Sequence, residues 1–237
     1  MHSKASATPA YVYVPDLGAK GSEVELSAAE SHYVTRVCRA RADDSVEATD
    51  GRGAVASLRL TALGLRVRAR VETVERRQRE RRAWIWCGEP EGQRDDWMVE
   101  KLAELGIERW TPFDSERSRW EGFSRRRERW ERLSVAALKQ SRSAFLMEIR
   151  EPVGLAQVSD SVPPDAERWV AERDGAAANP PKGDGLLAAV VGPAGGLTGS
   201  EVKWLEGVGF LRISLGPTRL RAETAAVSLA ALWAAAG

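Results

Sequence analysis

Residues 186–201 read Leu186-Leu187-Ala188-Ala189-Val190-Val191-Gly192-Pro193-Ala194-Gly195-Gly196-Leu197-Thr198-Gly199-Ser200-Glu201. Six consecutive apolar residues predict a strand that is covered on both faces, as in a parallel sheet. The glycines that follow permit positive φ and close backbone approach. Thr198 with Glu201 three residues later is a capping box, which marks the start of a helix. The stretch therefore predicts a strand, a tight glycine-rich turn and a helix, which is the repeating unit of an α/β fold.

The glycine-rich turn, Gly192–Gly196, matches neither of the common phosphate-binding loops. It lacks the Gly-Lys-Ser/Thr of a Walker loop and the Gly-x-Gly-x-x-Gly spacing of a Rossmann fingerprint. Two interpretations stay open for this turn taken alone. It is an anion site at a helix start, or it is a strand-to-helix turn without a ligand.

A second stretch places charge at the start of an apolar helix. It reads Leu215-Gly216-Pro217-Thr218-Arg219-Leu220-Arg221-Ala222-Glu223-Thr224-Ala225, and residues 225–236 are almost entirely apolar. An arginine beside a buried apolar segment is costly unless it is paired or binds a ligand. Glu223 is the predicted partner of Arg219 or Arg221, and a bound ligand is the other explanation.

Outward from these stretches, strands and helices alternate through most of the chain. Strands are predicted at residues 84–86, 107–111, 145–149, 168–172, 186–191 and 210–215, and helices at 96–105, 125–141, 198–206 and 222–236. Gly106 is expected to end the first helix and Pro112 the second strand, and residues 174–185 are predicted to form a flexible loop. This alternation predicts a parallel sheet, in which ligands bind beyond the carboxyl ends of the strands.

The first 75 residues have a different, β-rich pattern. Strands are predicted at residues 11–14, 24–26, 46–49, 54–60 and 65–71, with a helix at 28–37 capped by Ser27. The strict alternation over residues 65–71 puts Arg66, Arg68 and Arg70 on one face of a half-buried strand. A small barrel is predicted, joined to the α/β part by Arg76–Arg82.

Composition excludes several classes of protein. The net charge is only +1, but arginines cluster at positions 66, 68, 70, 76, 77, 79, 81 and 82, which suits either a phosphate backbone or a solvated surface. Cys38 and Cys87 fit neither a disulfide framework nor a metal site, and with two histidines a zinc cage is nearly excluded. No apolar run is long enough for a membrane span, and the polar start of the chain lacks a signal region, which favours a cytoplasmic protein.

Six motifs in order resemble the RsmE family of the SPOUT superfamily of RNA methyltransferases. They are His32-Tyr33-Val34 with Val37-Cys38-Arg39 and Asp44, Glu100–Ile107, Pro112 with Ser115–Ser118, Ala137–Ser141, Val191–Gly196 with Glu201, and Leu215-Gly216 with Leu220–Ala225. The resemblance covers nearly the whole chain. It implies a fold in which a small PUA-like β-barrel domain, residues 1–75, precedes an α/β SPOUT methyltransferase domain, residues 76–237. That domain is expected to have a parallel sheet and a deep trefoil knot at about residues 186–230, an exception to the rule against threaded chains.

The resemblance also implies an activity and its partners. The family methylates N3 of a uridine in 16S ribosomal RNA, near the decoding region, with S-adenosyl-L-methionine as the methyl donor. The substrate is therefore expected to be 16S rRNA or the assembled small ribosomal subunit. A homodimer that packs through the knot helices is expected, without a membrane or a metal.

The resemblance assigns the cofactor to the backbone of the two loops. The expected cofactor-binding residues are Val191, Gly192, Pro193, Gly195, Gly196, Leu215, Gly216, Leu220 and Thr224. The expected RNA-binding residues are Arg36, Arg39, Arg66, Arg68, Arg70 and Arg117. Trp120 is kept as one further RNA contact, while the other tryptophans are expected to pack in the core or a dimer interface.

Three residues are predicted to act on the base. Uridine N3 must lose its proton, so the enzyme must stabilise a developing negative charge. Arg221 is the predicted electrostatic catalyst, Glu223 is predicted to orient it, and Arg142 is predicted to be a second positioning cation. The sequence identifies no general base.

Two departures from the family pattern leave alternatives. Ala194 replaces the family's glutamate, and Arg142 lies one position before the family's usual arginine, where Ser143 stands. One alternative is a catalytically weakened RNA-binding protein, and another is a SPOUT methyltransferase for a different RNA position. A nucleotide-binding α/β enzyme of unrelated chemistry is the third, disfavoured by the missing Walker lysine.

Overall fold

The computed structural model describes residues 9–179 and 184–236. The chain forms two compact units: unit 1 is Met1–Arg79 with Leu138–Phe145, and unit 2 is Glu80–Ala137 with Leu146–Gly237. This division differs from the predicted boundary at residues 75 and 76. Unit 1 continues to Arg79, within the predicted link Arg76–Arg82, and an eight-residue segment from the middle of the chain also belongs to it.

Unit 1 contains a five-stranded sheet. Its strands are β1 (Tyr11–Tyr13), β2 (Glu23–Glu25), β3 (Ser45–Thr49), β4 (Ala54–Ala62) and β5 (Arg68–Arg76), in the order β1-β3-β4-β5-β2. β1 pairs with β3 in parallel, and the other pairs are antiparallel. Alternate apolar residues of β4 and β5 are buried, which confirms the predicted period of two and forms one core on the inner face.

The helical segment of unit 1 has two parts. Helix α1 (Ala28–His32) begins after Ser27, whose side chain accepts a hydrogen bond from the Glu30 amide, as the sequence predicts. The second part, Tyr33–Val37, is a π-helical turn, which widens the helix there. A π-helical turn was not predicted, because apolar periodicity does not separate it from an α-helix.

The arginine-bearing strand starts later and ends later than predicted. β5 begins at Arg68 and runs to Arg76, and Leu65, which was predicted to face the core, is 96% exposed. Residues 63–66 instead form the turn between β4 and β5. Alternation alone does not separate a strand end from a turn, so the predicted inner face is wrong at Leu65 and correct from Val67 onward.

The segment 138–145 belongs to unit 1 because its polar groups bond to the end of β3, to the turn between β3 and β4 and to helix α1. The Ala144 carbonyl accepts hydrogen bonds from the Thr49 hydroxyl at 3.2 Å and from the Gly53 amide at 2.9 Å. Lys139 donates to both oxygens of the buried Glu30 at 2.9 Å. These bonds join residues about 90 to 110 positions apart, so local sequence patterns do not reveal them.

Unit 2 is a parallel α/β structure. Its strands are β6 (Arg82–Cys87), β7 (Arg109–Asp114), β8 (Glu148–Ile149), β9 (Val153–Gly154), β10 (Glu167–Ala177), β11 (Leu186–Val191) and β12 (Leu211–Ser214). Its helices are α2 (Asp95–Glu104), α3 (Phe123–Ser141, which ends in unit 1), α4 (Leu155–Asp160), α5 (Gly199–Gly207) and α6 (Ala222–Ala234). The strand order is β12-β10-β11-β6-β7-β8, β9 also pairs with β7, and every pairing is parallel. The predicted fold class is confirmed, while the trefoil knot stays a prediction.

Two cores lie on the two faces of this sheet. One contains a cluster of three tryptophans, Trp110, Trp120 and Trp130, whose ring centroids lie 5.2–5.8 Å apart in edge-to-face contacts. Trp120 is 6% exposed, and its indole nitrogen donates to the Cys87 carbonyl at 3.0 Å. The prediction of Trp120 as an RNA contact is therefore wrong, because the ring packs in the core.

Pro112 lies inside β7 and does not end it. The Trp110 carbonyl accepts from the Arg150 amide, so Pro112, two residues later, faces the same side. On that side β8 pairs with Arg109 and Trp110, and β9 pairs with Phe113 and Asp114, which leaves a gap at Pro112. A missing N–H at this gap removes no ladder hydrogen bond, so the proline is tolerated.

β10 also extends further than the pattern indicates. The sequence predicted a strand at 168–172 and a loop at 174–185, but the strand continues to Ala177. Residues 180–183 of that predicted loop lie outside the described residues. Within the part of the chain that the structure describes, no helix has the length and apolar character needed to cross a membrane.

Candidate cofactor cavity

The carboxyl ends of three adjacent strands surround one cavity of about 380 Å³ in unit 2. β10 is the middle strand, with β11 on one side and β12 on the other. The lining residues come from the end of each strand and the loop after it, with Arg117 and the start of α6. They are Arg117, Ala171, Glu172, Arg173, Val191–Gly196, Ser214–Gly216, Thr218, Arg219, Leu220, Ala222 and Ala225. This volume suits a ligand of the size of a nucleoside joined to an amino acid.

The loop after β11 presents its backbone to the cavity. Gly196 has a φ of +71°, a conformation that favours glycine. A Cβ at Gly192 would lie 3.1 Å from the Leu197 amide nitrogen, so the absence of a side chain there keeps the turn tight. The sequence predicted this loop from its glycines, and five of its expected cofactor residues, Val191, Gly192, Pro193, Gly195 and Gly196, line the cavity.

Two side chains fasten this loop from outside. One carboxylate oxygen of Glu201 accepts a hydrogen bond from the Thr198 amide at 2.7 Å, which completes the predicted capping box. The other oxygen accepts a hydrogen bond from the Glu116 amide at 2.7 Å. Arg117 donates to the Gly195 carbonyl at 3.0 Å. The structure therefore connects Arg117, which was predicted to bind RNA, to the glycine-rich loop and the wall of the cavity.

Ala194 does not disturb the loop. Its side chain is exposed, and its amide donates to the Glu89 carbonyl at 3.1 Å. The neighbouring Gly88 lies so close to Pro193 that a Cβ there would be 2.5 Å from the proline nitrogen. The backbone of residues 88 and 89 thus supports this turn without help from a side chain at position 194.

The loop after β12 forms the opposite wall. Gly216 has a φ of +136°, and its amide donates to the Ser214 hydroxyl at 3.4 Å, which holds the first turn of the loop. Leu215, Gly216 and Leu220, which the resemblance assigns to the cofactor, line the cavity. Thr224 does not, because the face of α6 towards the cavity carries Ala222 and Ala225, three positions apart, and Thr224 is not on that face.

A bulge in β10 forms the third wall, which the sequence did not reveal. Ala171 and Ala176 both pair with Ile213 of β12, so residues 172–175 leave the ladder between them. Glu172 and Arg173 line the cavity from this bulge. Gly175 brings the strand back, since a Cβ there would lie 2.5 Å from the Ile213 carbonyl carbon. The only available sequence signal was this glycine inside a run predicted to be a loop.

Glu172 is the one carboxylate among the described residues of the cavity wall. Burial raises the pKa of this carboxyl group above its usual range, and the nearby Asp174 adds to the effect while Arg212 opposes it. The carboxylate therefore lies in a site where it would gain from hydrogen-bond donors.

The structure separates the two charged residues at the start of α6. Arg221 is the residue before the first turn of the helix, and its exposed guanidinium lies 3.4 Å from the exposed Glu91 carboxylate. Glu223 is 2% exposed and pairs with Arg94 at 3.0 Å. The prediction that Glu223 pairs with Arg219 or Arg221 is wrong: both arginines precede the first turn of α6, whereas Glu223 is buried within that turn and pairs with Arg94.

Arg142 lies in unit 1 and is not among the residues that line the cavity. It follows the last residue of α3 with a φ of +55°, the left-handed conformation that ends many helices. Its guanidinium pairs with Glu47 and stacks on the Tyr11 ring, 5.0 Å from the centroid. The structure thus gives Arg142 a role in joining segment 138–145 to β1 and β3.

The remaining predicted RNA-binding residues all lie in unit 1 and are exposed. Arg36 is in the π-helical turn, and Arg39 follows it with a φ of +53°. Arg66, Arg68 and Arg70 lie at the start of β5 and in the turn before it. Glu25 and Glu23 of β2 lie opposite Arg68 and Arg70, so carboxylates from a neighbouring strand interrupt the predicted basic face.

Comparison with known proteins adds two family matches. The family described as "RNA methyltransferase domain" matches residues 77–234, and the one described as "RNA methyltransferase PUA domain" matches residues 26–67. The first match covers more than half of the chain and contains the three strand ends around the cavity.

Individual relatives agree with these matches. "Ribosomal RNA small subunit methyltransferase E" of Aquifex aeolicus is 36% identical over 143 residues, which are 58% of this chain and 61% of that protein. The protein of the same name from Synechocystis is 28% identical over 85% of this chain and 69% of its own. This chain thus spans less than two thirds of the Aquifex protein.

A solved structure extends the likeness to the fold. The Neisseria gonorrhoeae ribosomal RNA small subunit methyltransferase E, crystallised with S-adenosyl methionine, superposes with a TM-score of 0.83. The superposition covers 94% of this chain and 95% of that one at 25% identity. With a family match over residues 77–234, the chain belongs to the RNA methyltransferase family that includes the ribosomal RNA small subunit methyltransferases E.

Proposed function

We propose that the protein transfers a methyl group from S-adenosyl-L-methionine to N3 of a uridine in 16S ribosomal RNA, near the decoding region. The observation that carries the proposal is the cavity at the carboxyl ends of β10, β11 and β12, whose two glycine-containing loops belong to the matched family domain. The names of the relatives support ribosomal RNA of the small subunit as the substrate class.

The residues of the cavity fit this cofactor. Gly192, Gly196 and Gly216 line the cavity without side chains, so the backbone of both loops can approach an adenine ring closely. Arginine side chains on the wall suit the carboxylate of the methionine part. Ala194 is exposed and the loop is held by Glu89, Arg117 and Glu201, so the geometry supports cofactor binding without the family's glutamate at position 194.

The protein does not need to activate the methyl group. S-adenosyl-L-methionine supplies an electrophilic methyl on a sulfonium, and the protein must place N3 in line with it and stabilise the negative charge that develops on the base. We assign the second task to Arg221. Its pair with Glu91 is exposed and 3.4 Å long, so exchanging that partner for the base costs on the order of 1 kcal/mol or less.

Unit 1 is the proposed holder of the flanking RNA. Arg36, Arg39 and the Arg66, Arg68 and Arg70 face supply exposed guanidinium groups in the unit that contains the matched PUA region. Binding to phosphates releases counterions, so RNA affinity should fall steeply with salt. Replacing Arg66, Arg68 and Arg70 by Glu should weaken RNA binding and lower the salt slope without changing cofactor affinity. Unchanged RNA binding by this variant in a salt titration contradicts the placement.

The finer partners are part of the same proposal. The protein is proposed to be a cytoplasmic homodimer that packs through the helices of the proposed knot, and its substrate is the assembled small subunit or naked 16S rRNA. Sedimentation of the purified protein and methylation assays on both RNA forms test these points. A monomer at micromolar concentration would remove the dimer from the proposal.

The decisive experiment maps modified nucleosides by mass spectrometry in 16S rRNA from a strain without the gene. Loss of one 3-methyluridine, restored by the purified protein and S-adenosyl-L-methionine acting on subunits from that strain, is the expected result. Persistence of 3-methyluridine with loss of a different methylated base would assign a different RNA position. No change in any base would refute the methyltransferase proposal.

A further inference from the structure

We propose that Glu172, presented by the bulge of β10, accepts hydrogen bonds from the ribose hydroxyls of the nucleoside cofactor. This inference rests on the proposed function, because it concerns the same cavity. The two loops predicted from the sequence form two walls of this cavity, and the bulge adds a third wall with an acidic side chain.

The bulge is a built feature of the strand. Ala171 and Ala176 share one partner, Ile213, so the four residues between them are removed from the ladder just beside the cavity. Bulges re-aim side chains and are frequent next to active sites. Gly175 makes the return possible, because any side chain there would collide with the Ile213 backbone. Without the bulge, Glu172 would continue the regular alternation of the ladder with β12.

The positive charges on the cavity wall indicate that the ligand group that donates hydrogen bonds to Glu172 is uncharged. Among the described lining residues, the other charged side chains are Arg117, Arg173 and Arg219. A cationic group of the ligand would meet these three arginines, whereas a vicinal diol brings two hydrogen-bond donors and no charge. Two hydroxyl donors match the two oxygens of one carboxylate.

The carboxylate of Glu172 is partly buried and receives no hydrogen bond from the described residues, as expected if a ligand supplies the donors. Burial raises the pKa of this carboxyl group, Asp174 raises it further, and only the charge of Arg212 lowers it, with no hydrogen bond from the described residues contributing. Donors supplied by a ligand would therefore stabilise the charged form. Asp174, by contrast, pairs with Arg212 at 3.0 Å and does not line the cavity.

The test measures ligand affinity of the full chain by titration calorimetry, with S-adenosylmethionine, S-adenosylhomocysteine and 5′-methylthioadenosine. All three carry the ribose, but only the first has a sulfonium and the third lacks the amino acid. Glu172→Ala should weaken all three by a similar factor, about 10- to 100-fold, as expected for lost hydrogen bonds to a charged acceptor. Glu172→Gln, which keeps the shape, should weaken them less, and the matched control Asp174→Ala should leave them within about twofold.

A ligand change checks the same contact from the other side. The 2′-deoxy analogue of S-adenosylhomocysteine should bind wild-type protein more weakly than the parent, and Glu172→Ala should remove most of that difference. If the Glu172 variants lost affinity for S-adenosylmethionine only, the carboxylate would interact with the sulfonium charge. That result would overturn the ribose assignment. Equal affinities of wild type and both Glu172 variants would overturn it as well. Failure of the wild-type protein to bind any of the three ligands would instead refute the proposed function.

Discussion

Arg221 and Glu223 are two residues apart, yet their side chains have separate partners and separate surroundings. Arg221 is exposed and loosely paired with Glu91, whereas Glu223 is buried and held by Arg94. An exposed, weak pair can be exchanged for a substrate, but a buried carboxylate is costly to leave without its partner. Of the two, Arg221 is therefore the residue that we propose to meet the base, whereas Glu223 ties the start of α6 to Arg94.

Arg221→Ala should lower kcat by at least about 100-fold, the usual effect of removing one donor to a developing anion. The affinity for S-adenosyl-L-methionine should stay close to the wild-type value, because Arg221 does not line the cavity. Single-turnover methylation and cofactor titration measure the two effects. Glu91→Ala is the matched control, since it removes only the partner of Arg221 and should leave kcat unchanged. Wild-type activity of Arg221→Ala would remove the assignment.

The charged Glu172 should lower the stability of the ligand-free protein, although it is proposed to strengthen cofactor binding. Its folded-state pKa is raised above the ordinary value of 4.5, so the unfolded state loses this proton first and the charged group opposes folding at neutral pH. The stability of the ligand-free protein should therefore fall as pH rises through 4.5 and the raised pKa. Glu172→Gln should have a higher Tm than wild type at pH 7, and the gain should disappear below about pH 4. Equal Tm values at pH 7 would contradict this.

At the scale of elements, the sequence predicts that β10 is a strand but predicts neither its length nor its bulge. Its first half has the expected apolar character, but its second half, with Arg173, Asp174 and Gly175, has the composition of a loop. Pairing with β12 overrides this composition, because the ladder supplies hydrogen bonds on both sides of the bulge. The bulge in turn places Glu172 at the cavity.

Gly175→Ala should destabilise the protein by roughly 1–3 kcal/mol, the cost of overpacking a filled site, and should also weaken cofactor binding. The new methyl group would lie 2.5 Å from the Ile213 backbone, so β10 and β12 must move apart. Urea unfolding and cofactor titration measure both effects. Gly199→Ala is the matched control, because nothing lies within 4 Å of its Cβ position. A stable, fully binding Gly175→Ala protein would contradict the close approach.

At the scale of the whole molecule, the two units are interleaved along the chain. Segment 138–145 closes unit 1 through the Glu30–Lys139 pair and the hydrogen bonds to Ala144, although α3 begins in unit 2. The N-terminal segment up to Arg79 is therefore not the whole of unit 1, which also needs residues 138–145. A charge as buried as Glu30 needs this distant lysine to offset its desolvation.

Lys139→Met should destabilise the protein by about 3–5 kcal/mol, because it leaves the buried Glu30 carboxylate without its partner. Lys101→Met is the control: its pairs with Glu100 and Glu104 are partly exposed, and losing such pairs costs about 1 kcal/mol or less. Chemical denaturation of both variants at pH 7 gives the comparison. Adding Glu30→Gln to Lys139→Met should recover part of the loss, and equal effects of the two lysine variants would contradict the inference.

The local features of this protein could be predicted from its sequence. Periodicity identified the buried strand 186–191, the capping box identified the start of α5, and glycine identified the end of α2, because each depends on residues within a few positions. The motif order indicated the family, and the family matches confirm it. The two loops of the cavity followed from the same patterns.

What the tertiary structure alone decided are the contacts between distant residues. Sheet pairing put β10 between β11 and β12, and so added Glu172 to the cavity wall. Packing chose Arg94 as the partner of Glu223 and placed Arg142 in unit 1. Local sequence restricts the backbone of a few neighbouring residues, whereas strand order and ion-pair partners depend on the free energy of the whole packed core. For that reason the sequence identified the cavity loops, and only the fold identified the third wall.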